Sequence, residues 1–281
     1  MLTTAHAGSA HLTFARCGQA TVLTRALAAS PAKLFATNGH GPTCWVYAAT
    51  LGGGLVGGDE IRLRADVTAG ARGLLTTQAS TKVYRSLRPS RQSLEAAVDA
   101  DALLAVVPDP VVCFADAHFT QVQRYNLHRD ASLVMVDWIT SGRHAAGERW
   151  AFSRYESRFD IRRGSEPIFF DALVLEPHID SVVERMGRFE VLLTAVITGP
   201  LVAAAAMDIV IRLAHASIDP SNRQRSLGAG GDLVMSAARL RDGGALLRMA
   251  GTSVEQMGHA LRAHLAFLSP LTGDDLWSRK W

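Results

Sequence analysis

The sequence predicts a mainly β protein that carries two α-helices in its C-terminal third. From Thr43 to Thr140, short apolar or alternating runs are separated by Gly, Pro and Asp, which is typical of many strands joined by turns. Two later segments instead repeat their apolar residues at helical spacing. The chain has 281 residues, of which 48% are hydrophobic, and is long enough to bury a large core. We expect one domain spanning residues 1–281.

Four segments carry the clearest strand patterns. In Glu60 to Val67, apolar residues alternate with charged ones, which is the period of a half-buried strand. Residues 75–83 alternate in the same way and are rich in β-branched side chains, so they are predicted to form one strand. Arg149 to Arg163 and Ile168 to Leu175 show similar patterns. The first two-thirds of the chain is therefore predicted to be mainly β.

Two helices are predicted beyond this region. Thr252 to Leu268 has apolar residues at helical spacing, and Ser253 and Gln256 can form a capping box at its start. Leu201 to His215 is rich in alanine and is the other helix candidate. Between them, Asp219 to Asp232 is polar and contains glycines, which predicts a loop.

The basic residues do not form a nucleic-acid-binding tract. The formal net charge is +3 and the isoelectric point is about 9.0, but the arginines are spread along the chain. Acidic residues, including Glu156 and Asp160, interrupt their densest group, which favours a solvated strand face. That group comprises Arg154, Arg158, Arg162 and Arg163. We expect no nucleic-acid partner.

The cysteines and the apolar segments indicate a cytoplasmic protein. Cys17, Cys44 and Cys113 are widely spaced and include no CxxC, so neither a disulfide framework nor a structural zinc site is predicted. The N-terminal residues lack a charged segment followed by an apolar run, and no stretch reaches the about 18 apolar residues of a membrane span. A reducing cytoplasm without membrane attachment is the expectation.

The segment Gly52 to Asp59 is the strongest local signal. Gly52, Gly54 and Gly57 satisfy GxGxxG, which raises the alternative of a nucleotide-binding enzyme that uses this loop. The residues that follow alternate with a period of two, however, so no helix N-terminus is predicted to hold a pyrophosphate, and no Walker lysine follows. A glycine bend with positive φ between strands is favoured.

Two polar features near this bend are open to two interpretations. Asp59 is an ionisable side chain beside a backbone poor in Cβ atoms, where a metal ion or partner can approach. On residue chemistry alone, an aspartate that stabilises the turn is favoured. The row Thr76 to Tyr84 places hydroxyls and an amide on one strand. Such a row either lines a hydrated passage, where oxygen ligands replace part of an ion's water shell, or faces solvent.

The segment Asp137 to Trp150 combines two glycine bends with charged residues. One interpretation is a loop facing a partner or a metal, carrying Asp137 and Glu148. The other is a surface hairpin with an Arg143 salt bridge that contributes little. The sequence contains neither a GxSxG elbow nor an HExxH motif, and its histidines are scattered, so the residues favour a binding module over an enzyme.

Several of these motifs, taken together and in order, resemble the UreD (also called UreH) family of urease accessory proteins. The resemblance covers roughly Ala20 to Leu175 and weakens beyond Gly199, where Ser236 stands at a position that the family pattern gives to arginine. The matching segments are Gly53 to Asp59, Thr76 to Arg85, Pro108 to Val111, Phe114-Ala115, Gln121, Ser141 to Arg143, Gly147-Glu148 and Phe152.

The resemblance implies a fold and a task. The fold is a helical stack of β-strands in two sheets, similar to a β-helix, with two α-helices near the C-terminus. The task is urease maturation without catalysis: the protein binds UreF, which recruits the GTPase UreG, and the assembly docks on apo-urease. Nickel passes through a water-filled tunnel, so it is in transit and no cofactor is stably bound. A general β-scaffold with an unrelated partner is a further alternative.

The resemblance and the residue chemistry together give a set of candidate residues. The carboxylates expected to contact nickel in passage are Asp59, Asp137, Asp171 and Glu176. Ser80 and Thr81 are expected in the tunnel wall, and Arg143 and Glu148 at a partner surface. No residue is expected to be catalytic.

Overall fold

The computed structural model describes residues 6–37, 41–218 and 231–278. The strands are β1 Ser9–Cys17, β2 Ala20–Ala28, β3 Ala32–Thr37, β4 Cys44–Thr50, β5 Glu60–Val67, β6 Arg72–Thr77, β7 Thr81–Val83, β8 Ser90–Val98, β9 Leu103–Val106, β10 Val111–Cys113, β11 His118–Leu127, β12 Ser132–Thr140, β13 Arg154–Arg163, β14 Glu166–Leu175, β15 Val191–Thr198, β16 Leu233–Arg239 and β17 Ala245–Gly251. The helices are α1 Val182–Met186, α2 Ala203–Ile218, α3 Val254–Leu265 and α4 Leu268–Thr272.

The strands form two sheets that the chain visits alternately. The first sheet has the order β14-β13-β11-β8-β5-β1-β2, and the second has β16-β17-β15-β12-β9-β6-β4-β3, with β7 and β10 beside it. β5, β8, β11 and β13 are parallel neighbours in the first sheet, while β4, β6, β9 and β12 are parallel neighbours in the second. The chain therefore winds as a helical stack of strands, which confirms the predicted fold class.

Apolar residues fill the space between the sheets and the outer face of the second sheet. Between the sheets, Phe14, Leu133 and Ile161 belong to one buried cluster. On the outer face, a second buried cluster contains Trp45 and residues of the helices α2 and α3. The outer face of the first sheet instead carries charged residues, as the interrupted arginine group predicts. Arg154 and Arg158 both pair there with Glu156.

Both predicted helices are present. Three residues of 3₁₀ helix, Pro200–Val202, lead into α2, and α3 begins after Ser253, whose hydroxyl accepts a hydrogen bond from the Gln256 amide at 3.4 Å. The predicted loop 219–232 lies outside the described residues except for its last two positions. Within the described ranges, none of the helices has the length and apolar character needed to cross a bilayer.

Two strand predictions were wrong in extent. Residues 75–83 do not form one strand. β6 pairs with β4 and β9 and ends at Thr77, whereas β7 begins at Thr81 and pairs with β10. Residue alternation continues across this change of partners, so it cannot reveal the break. Likewise β13 begins at Arg154 and not at Arg149, because Trp150 adopts a φ of 51° that no strand accommodates.

Candidate functional site

A cavity with a mainly apolar lining that also contains several polar side chains lies between the two sheets. Its apolar lining comes from residues such as Leu63, Leu94 and Val106, which face inward from both sheets. We call it the inner cavity. Its polar lining consists of Thr76, Thr77, Thr81, Gln92, Asp109, Gln121, Gln123 and Asp137. A concentration of amide, hydroxyl and carboxyl groups inside a β-stack is unusual and requires partners for each group.

Asp137 is the most buried carboxylate of this cavity. The sequence placed it in a loop, which was wrong: it lies within β12, and only 8% of its surface is exposed. Gln121 donates to its Oδ1 from Nε2 at 2.6 Å, and the hydroxyls of Tyr155 and Ser157 approach Oδ2 at 3.4 and 3.5 Å. Gln123 Nε2 also donates to Oδ1 at 3.5 Å, so four donors from the first sheet hold a carboxylate of the second.

Burial raises the pKa of Asp137 to about 6, from its ordinary value of 3.8. The hydrogen bonds from Gln121, Tyr155 and Ser157 favour the ionised form and act in the opposite direction. The carboxylate is therefore mostly ionised near neutral pH, although it lies in the interior. A cation that reached it would find negative charge and oxygen ligands.

A second cavity adjoins the inner cavity and extends to the glycine-rich segment. The two share Ala48, Thr77, Thr81 and Gln92 in their linings, and we call these two neighbouring cavities together the passage. Gly53, Gly54 and Ser80 line its outer end. Ser80 and Thr81 both line this cavity, and their assignment to a tunnel wall stays a prediction.

The charge of the passage is one-sided. Among the described residues that line its two cavities, the ionisable side chains are Asp109 and Asp137, with no lysine, arginine or histidine. The Thr77 hydroxyl donates to Asp109 Oδ2 at 3.0 Å and accepts from the Asp109 amide at 2.7 Å. Two carboxylates without a basic residue in the wall favour cations over anions in this space.

The glycine-rich segment is a bend, as favoured from the sequence. Gly52, Gly53 and Gly58 have φ values of 87°, 72° and 87°, and the chain continues into β5 without a helix. Gly54 lies so close to β7 that an added Cβ would be 2.6 Å from the Lys82 carbonyl oxygen. The segment therefore lacks the helix N-terminus on which dinucleotide binding depends.

Asp59 closes this bend. Its Oδ2 accepts a hydrogen bond from the Val56 amide at 2.9 Å, and the Asp59 amide donates to the Val56 carbonyl at the same distance. This is the turn-stabilising role that the sequence left open. Asp59 shares the bend with Gly53 and Gly54 but does not line either cavity of the passage.

Asp171 lies at the edge of the two-sheet stack. A separate cavity, which we call the edge cavity, lies there between β14 and the strands β15 to β17. Arg248 donates from a guanidinium nitrogen to Asp171 Oδ2 at 2.7 Å across it. Ser236 lies directly opposite Arg248 in the β16–β17 ladder.

Glu176 is not brought together with Asp137. It pairs with Arg154, whose other carboxylate partner is Glu156. Arg154 and Glu156 alternate with the inward-facing Tyr155 and Ser157, so they lie on the outer face of the first sheet. The sheet thus separates Glu176 from the passage.

Arg143 and Glu148 form an ion pair at the end of the stack. The Glu148 carboxylate also accepts from the Ala115 amide at 3.1 Å, and the Arg143 guanidinium lies 4.3 Å from the centre of the Phe114 ring. The pair holds the pKa of Glu148 below its usual range. Arg143 is half exposed. The pair is therefore a surface salt bridge, as one interpretation of the sequence had it, and its guanidinium is accessible to a partner.

The described residues contain no tight metal centre. In residues 6–37, 41–218 and 231–278, no three His, Cys, Asp or Glu side chains come close enough to hold a metal ion together. Cys113 lies near Tyr155 behind the passage, but burial raises the pKa of its thiol, so it stays protonated and is a poor metal ligand. Oxygen ligands are the ones that the passage offers.

Sequence reasoning missed most of the polar lining. Asp109, Gln92 and Gln123 received no role, although all three line the inner cavity. A signal was available for Gln123, because Gln121, Gln123 and Tyr125 occupy the inward positions of β11 between apolar neighbours. Amides at the buried positions of a strand indicate a polar interior, since an amide without partners is costly to bury.

Comparison with known proteins gives a consistent result. The profile of the family described as "UreD urease accessory protein" matches residues 6–281. The urease accessory protein UreD of Sorangium cellulosum is 51% identical over 98% of this chain and 85% of its own length. The corresponding protein of Anaeromyxobacter sp. is 42% identical, covering 97% and 89%. Urease accessory protein D of Arabidopsis thaliana is 35% identical, covering 82% and 84%.

Proposed function

The chain belongs to the UreD family of urease accessory proteins, and on that premise we propose that it conducts nickel to apo-urease through the passage between its sheets. Its family role lies in urease maturation. The observation that carries the proposal is the pair of neighbouring cavities whose only ionisable lining residues, within the described ranges, are Asp109 and Asp137. This space supports cation transfer because its wall offers oxygen ligands and negative charge.

Transfer requires ligands that hold the ion weakly. Hydroxyl, amide and carboxylate oxygens replace part of the hydration shell, whereas clusters of imidazole or thiolate ligands would retain a borderline metal such as nickel. Asp137 supplies charge midway between the sheets, and its ionised form is the one that attracts a cation. Gln121 and Ser157 hold this carboxylate in place, and Thr81 links the inner cavity to the outer end of the passage.

The remaining parts of the proposal concern partners. We propose that the chain acts in the cytoplasm in an assembly with UreF, the GTPase UreG and apo-urease, and that it catalyses no reaction itself. The Arg143–Glu148 pair is accessible at the end of the stack and is proposed as a partner contact. Asp59, beside the glycine end of the passage, remains a candidate for the first contact with the ion. Nickel is cargo here, not a resident cofactor.

Blocking the passage tests this proposal. Ala48 lines both cavities, so Ala48→Phe is expected to fill the space where they join while leaving the outer surface unchanged. Co-expression with the partners and apo-urease should yield a complex that forms normally but activates urease at least about tenfold more slowly. The readouts are co-purification and nickel-dependent urease activity.

Ala48→Ser is the matched control, because it changes the same position without filling the cavity. It should activate urease like the unaltered protein. If Ala48→Phe folds, joins the complex and activates urease at the normal rate, nickel does not travel through this space. If the chain neither co-purifies with the partners nor affects urease activity, the proposed assembly is wrong as well.

A further inference from the structure

The edge cavity differs in charge from the passage. Within its described lining, the ionisable residues are Asp171 and Arg248, which form an ion pair. The Arg248 side chain is 51% exposed and that of Asp171 is 27% exposed, so the pair stands at the solvent boundary. In contrast to the two cavities of the passage, this opening contains a basic group.

The position of Arg248 is in register with Asp137. Asp137 on β12 lies opposite Thr194 on β15, and Thr194 lies opposite Arg248 on β17. Residues directly opposite each other in antiparallel strands project from the same face of the sheet. Arg248 therefore projects into the same intersheet space as Asp137, two strand spacings or about 10 Å further towards the edge.

The facing sheet supplies the partner. Asp171 lies on β14, the edge strand of the first sheet, and its neighbours in the edge cavity are Leu173 from the same strand and Leu192 from the opposite sheet. Besides the ion pair, the polar side chains of this lining are the hydroxyls of Thr194 and Ser236. A cation that approached Asp137 from this side would meet the guanidinium.

We propose that Arg248 and Asp171 form a charge gate at this edge of the intersheet space and thereby determine which ions cross it. The inference rests on the proposed function. Arg248 repels a divalent cation by its charge, and Asp171 cancels that charge while the pair is closed. The barrier is therefore set by the balance of the two residues and acts on the ion in either direction of travel.

The size of the effect follows from Coulomb's law. A unit positive charge lowers the concentration of a divalent cation at a distance of about 6 Å by about tenfold in a medium like water. The effect is larger where the dielectric constant is lower. Neutralising Asp171 should therefore slow passage by about tenfold, since the guanidinium charge is then uncompensated. Neutralising Arg248 should raise the rate, since the Asp171 carboxylate then attracts the ion.

The test uses the full complex with apo-urease at limiting nickel and compares initial rates of urease activation. Asp171→Asn should slow activation about tenfold, Arg248→Gln should accelerate it, and the double variant Asp171→Asn with Arg248→Gln should return to near the normal rate. Arg248→Lys keeps the charge and should change little. Both residues are partly exposed, and circular dichroism and co-purification verify that each variant folds and assembles.

The salt dependence of the activation rates is a second readout, because an ion pair with only a structural role would not make the rates of the variants differ in a salt-dependent way. The screening length falls from about 10 Å at 0.1 M salt to about 3 Å at 1 M, so the difference between Asp171→Asn and the unaltered protein should shrink as salt is added. Equal rates for the single variants, or a difference independent of salt, would overturn the gate.

Failure of the gate and failure of the proposed function are distinguishable. If Ala48→Phe blocks activation but the Asp171 and Arg248 variants behave alike, the passage stands and the gate is wrong. If Ala48→Phe has no effect, the passage is wrong and the gate, which depends on it, falls too.

Discussion

At the scale of single residues, Asp137 is a carboxylate whose ionisation is opposed by burial and supported by hydrogen-bond donors from the facing sheet. The raised pKa shows that the hydrogen bonds do not fully compensate for the loss of water. The folded protein therefore binds a proton at Asp137 more tightly than the unfolded chain does. Folding stability has to depend on pH through this residue.

Asp137→Asn should raise the free energy of unfolding at pH 8 by on the order of 2 kcal/mol, because it removes a charge whose pKa is raised from 3.8 to about 6. The asparagine oxygen can still accept from Gln121, and its amide can donate to Ser157. The sign follows from linkage. The contribution of Asp137 to stability is fully present below pH 3.8 and is lost as the pH rises through about 6.

Chemical denaturation of both proteins between pH 4 and pH 8 measures this difference. The advantage of the variant should be largest above pH 7 and should disappear towards pH 4, where the carboxyl of the unaltered protein is protonated. A difference that stays constant across the range would show that Asp137 does not titrate as its burial implies. The same variant is expected to slow urease activation, because the passage loses one of its two carboxylates.

At the scale of secondary-structure elements, α3 depends on the cap that the sequence predicted. The Ser253 hydroxyl accepts from the Gln256 amide, and the buried face of the helix, which includes Met257, Leu261 and Leu265, covers the second sheet. The cap satisfies one of the amides that a helix leaves without a partner in its first turn. The cap and the packing of the buried face therefore both stabilise α3.

Ser253→Ala should lower the free energy of unfolding by about 1 kcal/mol, because it removes the side-chain acceptor at the start of the helix. Thermal or urea denaturation measures the loss. Ser253→Asp is the matched variant, since aspartate is an equally good cap, and it should retain the stability. Equal losses in both variants would mean that the hydroxyl acts in some way other than capping.

At the scale of the whole molecule, Arg163 connects the two sheets. It lies at the opposite end of the strands from the glycine-rich bend. From the end of β13 its guanidinium donates to the carbonyl oxygens of His128, Arg129 and Ala131, at 2.8, 2.9 and 3.0 Å. It also donates to Thr198 on the second sheet at 3.2 Å and pairs with Asp242 at 3.1 Å. One side chain thus connects a loop and both sheets.

Arg163→Met should lower the free energy of unfolding by about 2 kcal/mol or more, because several carbonyl groups lose their donor and Asp242 loses its cationic partner in a mostly buried setting, keeping only the Thr198 hydroxyl and the Gly244 amide. Urea denaturation gives the value. Arg162→Met is the control at the neighbouring position. Arg162 pairs with Asp160 on the exposed face, so its loss should change stability by no more than about 0.5 kcal/mol. Similar losses in both variants would contradict the role assigned to Arg163.

The sequence predicted the class of the elements better than the location of the functional residues. Periodicity identified β5 to the residue and both long helices to within a few positions, because it reports which side of an element is buried. It placed Asp137 in a loop and joined β6 to β7, because alternation along one strand carries no information about its partners. The single domain over residues 1–281 stays a prediction.

By itself, the sequence determined that this protein is mainly β, that two helices follow, that the glycine-rich segment is a bend, and, through its ordered motifs, which family it resembles. Only the tertiary structure decided which polar residues meet. Asp109 lies in the connection between β9 and β10, Asp137 lies on β12, and Gln121 reaches Asp137 from the other sheet. Such contacts depend on the register of strands distant in the chain and on the face that each strand turns inward. Local patterns record the alternation of faces but not the pairing of sheets, so the passage and its edge appear only when the strands are stacked.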